Sequence, residues 1–455
     1  MIAKNQQFEV TIESCTQEGY GICRIDGKAV FVAGALNGER WIIQILKVTN
    51  TAIWAKGLQL LCASSQRIQP DCHNPCGGCS LRHVTYDEEL RIKLEHVNSC
   101  LQRIGAQKKT ASIIHPSPAA YRYRNKAVFA VAEKHGKAAV GFYRPRSHDL
   151  VPIEDCLLQS QNCIRVASAI IEFMNSHRIK AYDEATGKGI VRHIFWRESS
   201  SRAVVCIVAA KGFGANTKAM IDSILQSCDC ITGILLNINK SSGNVILSGD
   251  FYTLWGESEL EEDLCGLSFR ISPRAFFQIN APQAEQIYLK VLEYCHGASH
   301  VLDLYCGAGT ISLCIAKTGV KVTGVEIVPE AVENANANAV RNGITNVDFV
   351  CSDAAVINTE NSFDVVVVDP PRKGLAESVI RDIVNLRPEK VIYVSCNPAT
   401  LARDLAIFSQ LNYELIEAEA YDMFPRTAHI ETVCCLYHQK KDFISVPYEP
   451  GNLKS

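Results

Sequence analysis

The period of the apolar positions changes along the chain and divides it into stretches. From residue 1 to about 61, FEVTIESC, the run around Ile22 to Ile25, AVFVAGA and WIIQILKVT are short segments rich in β-branched and aromatic residues. Gly19, Gly21, Gly27, Gly34 and Gly38 punctuate them as turns. Short strands at this spacing predict a small β-barrel of the oligonucleotide-binding (OB-like) type. Between Val84 and Gly105, Leu90, Leu94, Val97, Leu101 and Ile104 recur at three- and four-residue intervals, which predicts an amphipathic helix ended by Gly105. Its stripe reads as core packing. Residues 160 to about 265 are mixed, with a helix near Cys163 to Arg178 and strands at VRHIFWRE, AVVCIVAAK and GILLNINK. From Ser299 onward, strand, loop and helix alternate, which predicts a doubly wound, Rossmann-like parallel sheet. The expected organisation is therefore α/β: a barrel over 1–61, a central α+β unit over 62–265, a doubly wound unit over 266–445 and a tail over 446–455.

Composition sets outer bounds. The chain has 455 residues, too many for one ordinary core, and 47% are hydrophobic, enough to fold as a globular protein. A net charge of −2 excludes a uniformly basic nucleic-acid binder but leaves room for a local basic face. The N-terminus MIAKNQQFEVTIES holds no apolar core of signal-peptide length, and no run has the length of a membrane helix. A cytoplasmic monomer without membrane contact is expected, its twenty cysteines mostly free thiols with a minority binding metal.

Two segments carry candidate binding chemistry. Cys72, Cys76 and Cys79 fall within eight residues bent by Pro75, Gly77 and Gly78, a density that points to metal. With His83 they would make a zinc site of three sulfurs and one nitrogen. With Cys156 they would supply the four thiolates of a [4Fe–4S] cluster. Spacing leaves both open. Farther on, YRYRNKAVFAVAEKHGKAAVGFYRPR sets Arg122, Arg124, Lys126, Lys134, Lys137, Arg144 and Arg146 against the single acid Glu133, with Tyr121, Tyr123, Phe142 and Tyr143 interleaved. Cations that neutralise phosphates beside rings that stack on bases are the means by which single-stranded RNA is held. The plain alternative is a solvated hairpin turning at Gly136.

The reacting groups are sought at the carboxyl ends of the late strands. HVLDLYCGAGTISLCIA is a buried strand, a turn at Gly307 and Gly309, and a helix; KVTGVEIV ends in Glu326, placed to accept ribose hydroxyls. The turn lacks the full spacing of a pyrophosphate cradle, so an adenosine ligand without phosphates, S-adenosylmethionine, fits better than a dinucleotide. Asp353 follows the third strand, facing the adenine. FDVVVVDPPRKG ends a fourth strand in Asp369-Pro370-Pro371-Arg372, where amine methylases of nucleic acids carry an aromatic residue after the prolines. In VIYVSCNPATLARDL, Cys396 stands between a strand and a helix capped by Asn397 and opened by Pro398, where the helix dipole favours a thiolate. The alternative is a buried structural cysteine. Carbon 5 of uracil becomes nucleophilic only after addition at carbon 6, a task for a thiolate such as Cys396. A base must then remove the carbon-5 proton, and Glu431 in AHIETVCCLY is the candidate, its alternative being a surface carboxylate.

These residues fit a known pattern. Gly19-Tyr20-Gly21-Ile22, Gly27, Val30-Phe31-Val32 and Gly38-Glu39 resemble the TRAM domain, an RNA-binding module. LDLYCGAG, DPPRKG, VSCNPATLARDL, HIETV and FFQIN (Phe276 to Asn280) resemble the RNA (uracil-5-)-methyltransferases, nearest their TRAM-bearing iron–sulfur branch acting on 23S ribosomal RNA. The resemblance covers about residues 8 to 438. It implies Cys396 as nucleophile, Glu431 as base, and Gln278, Tyr305, Thr310, Glu326, Asp353 and Asp369 at the S-adenosylmethionine site. It further implies Cys72, Cys76, Cys79 and Cys156 as ligands of a [4Fe–4S] cluster that shapes the fold and RNA surface without serving methyl transfer. Three residues separate Cys72 from Cys76 where many relatives have five, which makes Cys62 an alternative first ligand. Transfer RNA as substrate, or a non-catalytic RNA-binding iron–sulfur protein, are the competing readings.

Overall fold

A computed structural model describes residues 2–145, 147–241, 243, 245–275, 277–354 and 362–439. Arg146, Phe276 and the 446–455 tail lie outside the described residues.

The N-terminal strands are β1 (Gln7–Thr11), β2 (Ser14–Cys15), β3 (Tyr20–Ile25), β4 (Lys28–Ala33), β5 (Arg40–Val48) and β6 (Ile53–Cys62), in the order β1-β5-β6-β4-β3-β2. The two ends of that order are one bent strand. Between β1 and β2, Ile12 N–H donates to Glu39 at 2.9 Å and Glu13 N–H to Ile22 at 2.8 Å, so the ring closes on itself. No sheet edge is left open, and Val10, Ile12, Val30, Val32, Ile43 and Ile53 fill the inside.

Helix α1 (Tyr86–Arg103) is capped by Thr85, whose side chain accepts from Glu88 N–H. Its buried face differs from the expected stripe: Glu89 and Lys93 are fully buried, whereas Ile104 is 48% exposed. The reason is its neighbour. Val97, Cys100 and Leu101 pack into the core of the C-terminal sheet, and β7 (Ile114–His115) pairs at that sheet's far edge, although both fall within the 62–265 stretch expected to form the central unit.

The central sheet comprises β8 (Lys126–Lys134), β9 (Lys137–Tyr143), β10 (Leu150–Pro152), β11 (Val191–Ser199), β12 (Arg202–Ala209), β13 (Ile231–Ile238) and β14 (Asp250–Gly256), ordered β10-β9-β8-β11-β12-β13-β14. α2 (Gln161–Ser176) and α3 (Thr217–Ser227) contribute to its core. Cys228 and Cys230 form a disulfide at the end of α3; eighteen cysteines are free. A two-stranded ribbon, β15 (Leu260–Leu264) and β16 (Leu267–Ile271), and α4 (Ala281–Cys295) lead into the C-terminal unit.

There β17 (His300–Leu304), α5 (Thr310–Ala316), β18 (Lys321–Glu326), α6 (Pro329–Arg341), β19 (Val347–Cys351), β20 (Val365–Val368), α7 (Glu377–Asn385), β21 (Lys390–Ser395), α8 (Pro398–Gln410), β22 (Tyr413–Tyr421) and β23 (Glu431–His438) follow in turn. The sheet runs β19-β18-β17-β20-β21-β23-β22-β7. The first five strands are parallel, with β17, β20 and β21 buried on both faces and the edge strand β19 largely exposed; β23 then turns antiparallel to β21. Strand order reverses between β17 and β20, the place where such sheets open a crevice at their carboxyl ends. Gly309 (φ 77°) is required there, because a Cβ would stand 2.6 Å from Phe349.

Candidate active site

Register fixes the row of side chains at the crevice. The β21–β23 ladder ends at Ser395 opposite Thr432, so one step further brings Cys396 opposite Glu431. Leu304 is opposite both Val325 and Val368, so the next step aligns Tyr305 with Glu326 on one side and Asp369 on the other. The carboxyl ends of β17, β18, β20 and β21 and the amino end of antiparallel β23 therefore gather these residues without a long-range accident of loop packing.

Cys396 is partly exposed. Asn397 caps α8 by accepting from Ala399 N–H at 3.1 Å, as its position ahead of Pro398 predicts. The thiolate preference expected from that helix end is not found. Burial, then the carboxyls of Glu431 and Asp369, push Cys396 up to about 11, against the lowering charge of Arg372. The magnitudes explain the outcome: a helix terminus contributes about 0.3–1 kcal/mol, less than one pKa step of about 1.4 kcal/mol. Glu431 is 5% exposed and stands well above its ordinary range through burial and Asp369, again opposed by Arg372. Asp369 is pushed up to about 7 by burial. Cys396 and Glu431 thus share one guanidinium, and the Asp369 carboxyl raises both.

The Asp-Pro-Pro-Arg turn is docked onto the cysteine turn. The Arg372 carbonyl accepts from Asn397 Nδ2 at 3.1 Å and Thr400 Oγ1 at 3.2 Å. Leu375 N–H and Tyr393 O–H both donate to Asp404, at 2.8 and 2.7 Å. Gly374 (φ 73°) leaves no room for a Cβ, which would lie 2.5 Å from Asp404. Arg372 Nη2 lies 3.4 Å from His429 Nε2, a neighbour absent from the residues picked out by motif. His429 is held down to about 4 by burial and Arg372.

Beside this lies the candidate adenosine pocket. Glu326 accepts from Gly307 N–H at 3.1 Å and Val328 N–H at 2.9 Å, which aims its carboxylate into the turn. Gly307 has open space where a Cβ would stand. Tyr305, in the left-handed region at φ 64°, is raised by burial and then by Asp353, Asp404 and Glu326, which places Asp353 at the same mouth. Thr310 opens α5 and shares a 3.2 Å hydrogen bond with Tyr288. Gln278 is 9% exposed, and Asn125 Nδ2 donates to its carbonyl at 3.0 Å. Asp303, fully buried below the turn and bonded to Ser312, is a further acid not singled out from sequence. An acidic acceptor beside a two-glycine turn fits the ribose of an adenosine ligand.

Cys72, Cys76, Cys79 and Cys156 line one cavity of about 290 Å³ with Tyr121, Arg124 and Arg426. Cys62 and His83 are not among its lining. His83 is held down to about 4 by burial. Among the described residues, no three His, Cys, Asp or Glu side chains converge as a single ion requires. The four cysteines therefore share one cavity without forming a single-ion site among the described residues.

The basic segment forms the expected hairpin, turning at His135–Gly136, but several of its cations are engaged. Arg122 pairs with Asp155 at 2.6 Å, and Lys134 and Arg144 both pair with Asp149, at 2.6 and 2.9 Å. Lys126 is drawn down to about 8 by burial and Arg197. Two acids just beyond the segment, Asp149 and Asp155, pair with three of its seven cations. Among the described residues no helix is long and apolar enough to cross a membrane.

Comparison with known proteins gives the family. The tRNA (Uracil-5-)-methyltransferase pattern matches residues 85–358, a methyltransferase domain residues 296–443 and the TRAM domain residues 3–52. An uncharacterized RNA methyltransferase of Clostridium acetobutylicum is 38% identical over 446 residues, covering 95% of this chain and 97% of that protein. One from Halalkalibacterium halodurans is 38% identical over 449 residues, covering 96% and 98%. The crystal structure of Pyrococcus abyssi tRNA (uracil-54, C5)-methyltransferase in complex with S-adenosyl-L-homocysteine superposes with a TM-score of 0.77 at 26% identity, over 94% of this chain and 100% of that one. With a TRAM barrel at its N-terminus and a methyltransferase sheet at its C-terminus, the chain belongs to the RNA (uracil-5-)-methyltransferase family.

Proposed function

We propose that the chain methylates carbon 5 of a uridine in 23S ribosomal RNA, with Cys396 as nucleophile and Glu431 as base. The observation that carries this reading is the register that sets Cys396 opposite Glu431, with Asp369 and Arg372 as their charged neighbours.

Cys396, once deprotonated, adds to carbon 6 of the uracil, and the electron pair moves to the ring as an enolate. S-adenosylmethionine, which Gln278, Tyr305, Thr310, Glu326, Asp353 and Asp369 would hold, would give its methyl group to carbon 5 and leave as S-adenosylhomocysteine. Glu431 takes the carbon-5 proton, the double bond re-forms and the sulfur leaves. A carboxylate raised by burial is a stronger base than a solvated one, which suits this step. The four cysteines would hold a [4Fe–4S] cluster that braces the RNA-facing loops, and no step of the methyl transfer is assigned to it.

Transfer RNA is the second reading. It is favoured by a specific observation: the Pyrococcus abyssi tRNA (uracil-54, C5)-methyltransferase aligns with 94% of this chain, barrel included. Incubating the protein with unmodified ribosomal and transfer RNA and mapping 5-methyluridine by mass spectrometry separates the two. Methylation of ribosomal RNA alone supports the first. Methylation of transfer RNA alone replaces it, and absence of 5-methyluridine from both removes the enzymatic reading.

A further inference from the structure

The nine residues joining β22 to β23, Asp422 to Ile430, lead directly into Glu431. They are held by a buried ionic lattice to which no function is assigned above. Lys93 and Asp422 are both 0% exposed and pair at 2.6 Å; Lys93 also pairs with fully buried Glu89 at 2.8 Å. The second Asp422 oxygen accepts from Tyr86 O–H at 2.7 Å. Arg426 N–H donates to Glu89 at 2.6 Å, and its guanidinium donates to the Val84 carbonyl at 3.1 Å. Two acids and two bases are thus buried together.

Four successive carbonyls of this connection are each taken by a donor from a different part of the chain. Met423 accepts from Asn280 Nδ2 at 3.2 Å, and Phe424 from Lys93 Nζ at 3.1 Å. Pro425 accepts from Tyr123 O–H at 3.1 Å, and Arg426 from Leu81 N–H at 3.2 Å. Leu81 lies two residues beyond Cys79, and Arg426 itself lines the cysteine cavity. Arg426 is held in the left-handed region, at φ 67°. A connection made only to join two strands needs no such fixation. One that must aim the next carboxyl does.

We propose that Lys93, Asp422, Glu89 and Arg426 are positioning residues for the Glu431 carboxyl, and that Arg426 links the cysteine cavity to proton removal from carbon 5. This rests on the reading of Glu431 as the base. Loosening the lattice then leaves sulfur addition and methyl transfer in place but misplaces the proton acceptor. The methylated ring stays bonded to Cys396, because the sulfur leaves only as the proton does.

The test is single-turnover methylation with labelled S-adenosylmethionine and unmodified ribosomal and transfer RNA, followed on denaturing gels with Lys93→Met, Tyr123→Phe and Glu431→Gln in parallel. Lys93→Met is expected to slow product release about tenfold or more while the labelled protein–RNA adduct accumulates and the KM for S-adenosylmethionine holds. Tyr123→Phe, which removes one hydroxyl, is expected to fold and to show the same adduct with a release about two- to fivefold slower; it decides the matter should Lys93→Met fail to fold. Adduct with Glu431→Gln but none with the folded variants overturns the positioning role alone. Lack of adduct with Glu431→Gln overturns the base reading beneath it.

Discussion

The chain holds two cysteine sites whose thiols are shifted in the same direction for different reasons. Cys396 is pushed up to about 11 by burial and two carboxyls, with a guanidinium opposing. Cys79 is pushed up to about 12 by burial and by Cys156, Cys76 and Cys72. A raised thiol pKa therefore does not mark a nucleophile. The first site surrounds one sulfur with groups that take or give a proton. The second surrounds one buried thiol with three others. Composition of the surroundings, more than the size of the shift, distinguishes the two.

The largest effect expected from breaking this comparison is at Cys396. Cys396→Ala should abolish methylation, by about a thousandfold or more, with an unchanged melting curve, because no other group replaces covalent activation of the ring. Turnover retained in that variant, measured by labelled methyl incorporation, would sink the mechanism. Next comes Glu431→Gln, expected to slow turnover by about a hundredfold or more and to trap a covalent adduct visible on denaturing gels. At the second site, Cys79→Ser should instead cost cluster and stability. Anaerobic wild-type protein is expected to be brown with about four irons and matching sulfide per chain. The variant should lose that colour and melt roughly 5 °C or more lower. Zinc without iron in the wild type would replace the cluster assignment.

Much of the catalytic half was legible because its chemistry sits at the ends of strands that announce themselves. Runs such as VVVV at 365–368 and VIYV at 391–394 are buried on both faces, so the next residues, Asp369 and Cys396, fall at the sheet's carboxyl edge. The barrel was legible for the same reason, with period-two alternation against glycine turns. Interactions between distant segments were not. The apolar stripe of α1 concealed Glu89 and Lys93, whose partners Asp422 and Arg426 lie more than three hundred residues on. A local count of cations in the β8–β9 hairpin could not include Asp149 and Asp155, which neutralise three of them. His429 escaped because its neighbour Arg372 belongs to another turn. The helix-end argument for a Cys396 thiolate weighed one local effect without burial, the first cause of the upward shift, or the carboxyls of Glu431 and Asp369.

That failure yields the finest test, since the two kinds of neighbour at Cys396 act with opposite sign. In the ligand-free protein, alkylation of Cys396 by iodoacetamide, followed on its own peptide by mass spectrometry, reports the thiolate fraction. It should rise about tenfold per pH unit towards a midpoint of about 11. Arg372 lowers that midpoint, so Arg372→Met should move it up and make labelling at a given pH slower. Glu431 raises it, so Glu431→Gln should move it down and make labelling faster, even though methylation collapses. Each displacement is expected to be under about one unit, because burial is the first cause and neither substitution restores water. Movement of both variants in the same direction would mean that they act by opening the crevice, and the shared charge among Cys396, Asp369, Glu431 and Arg372 would have to be abandoned.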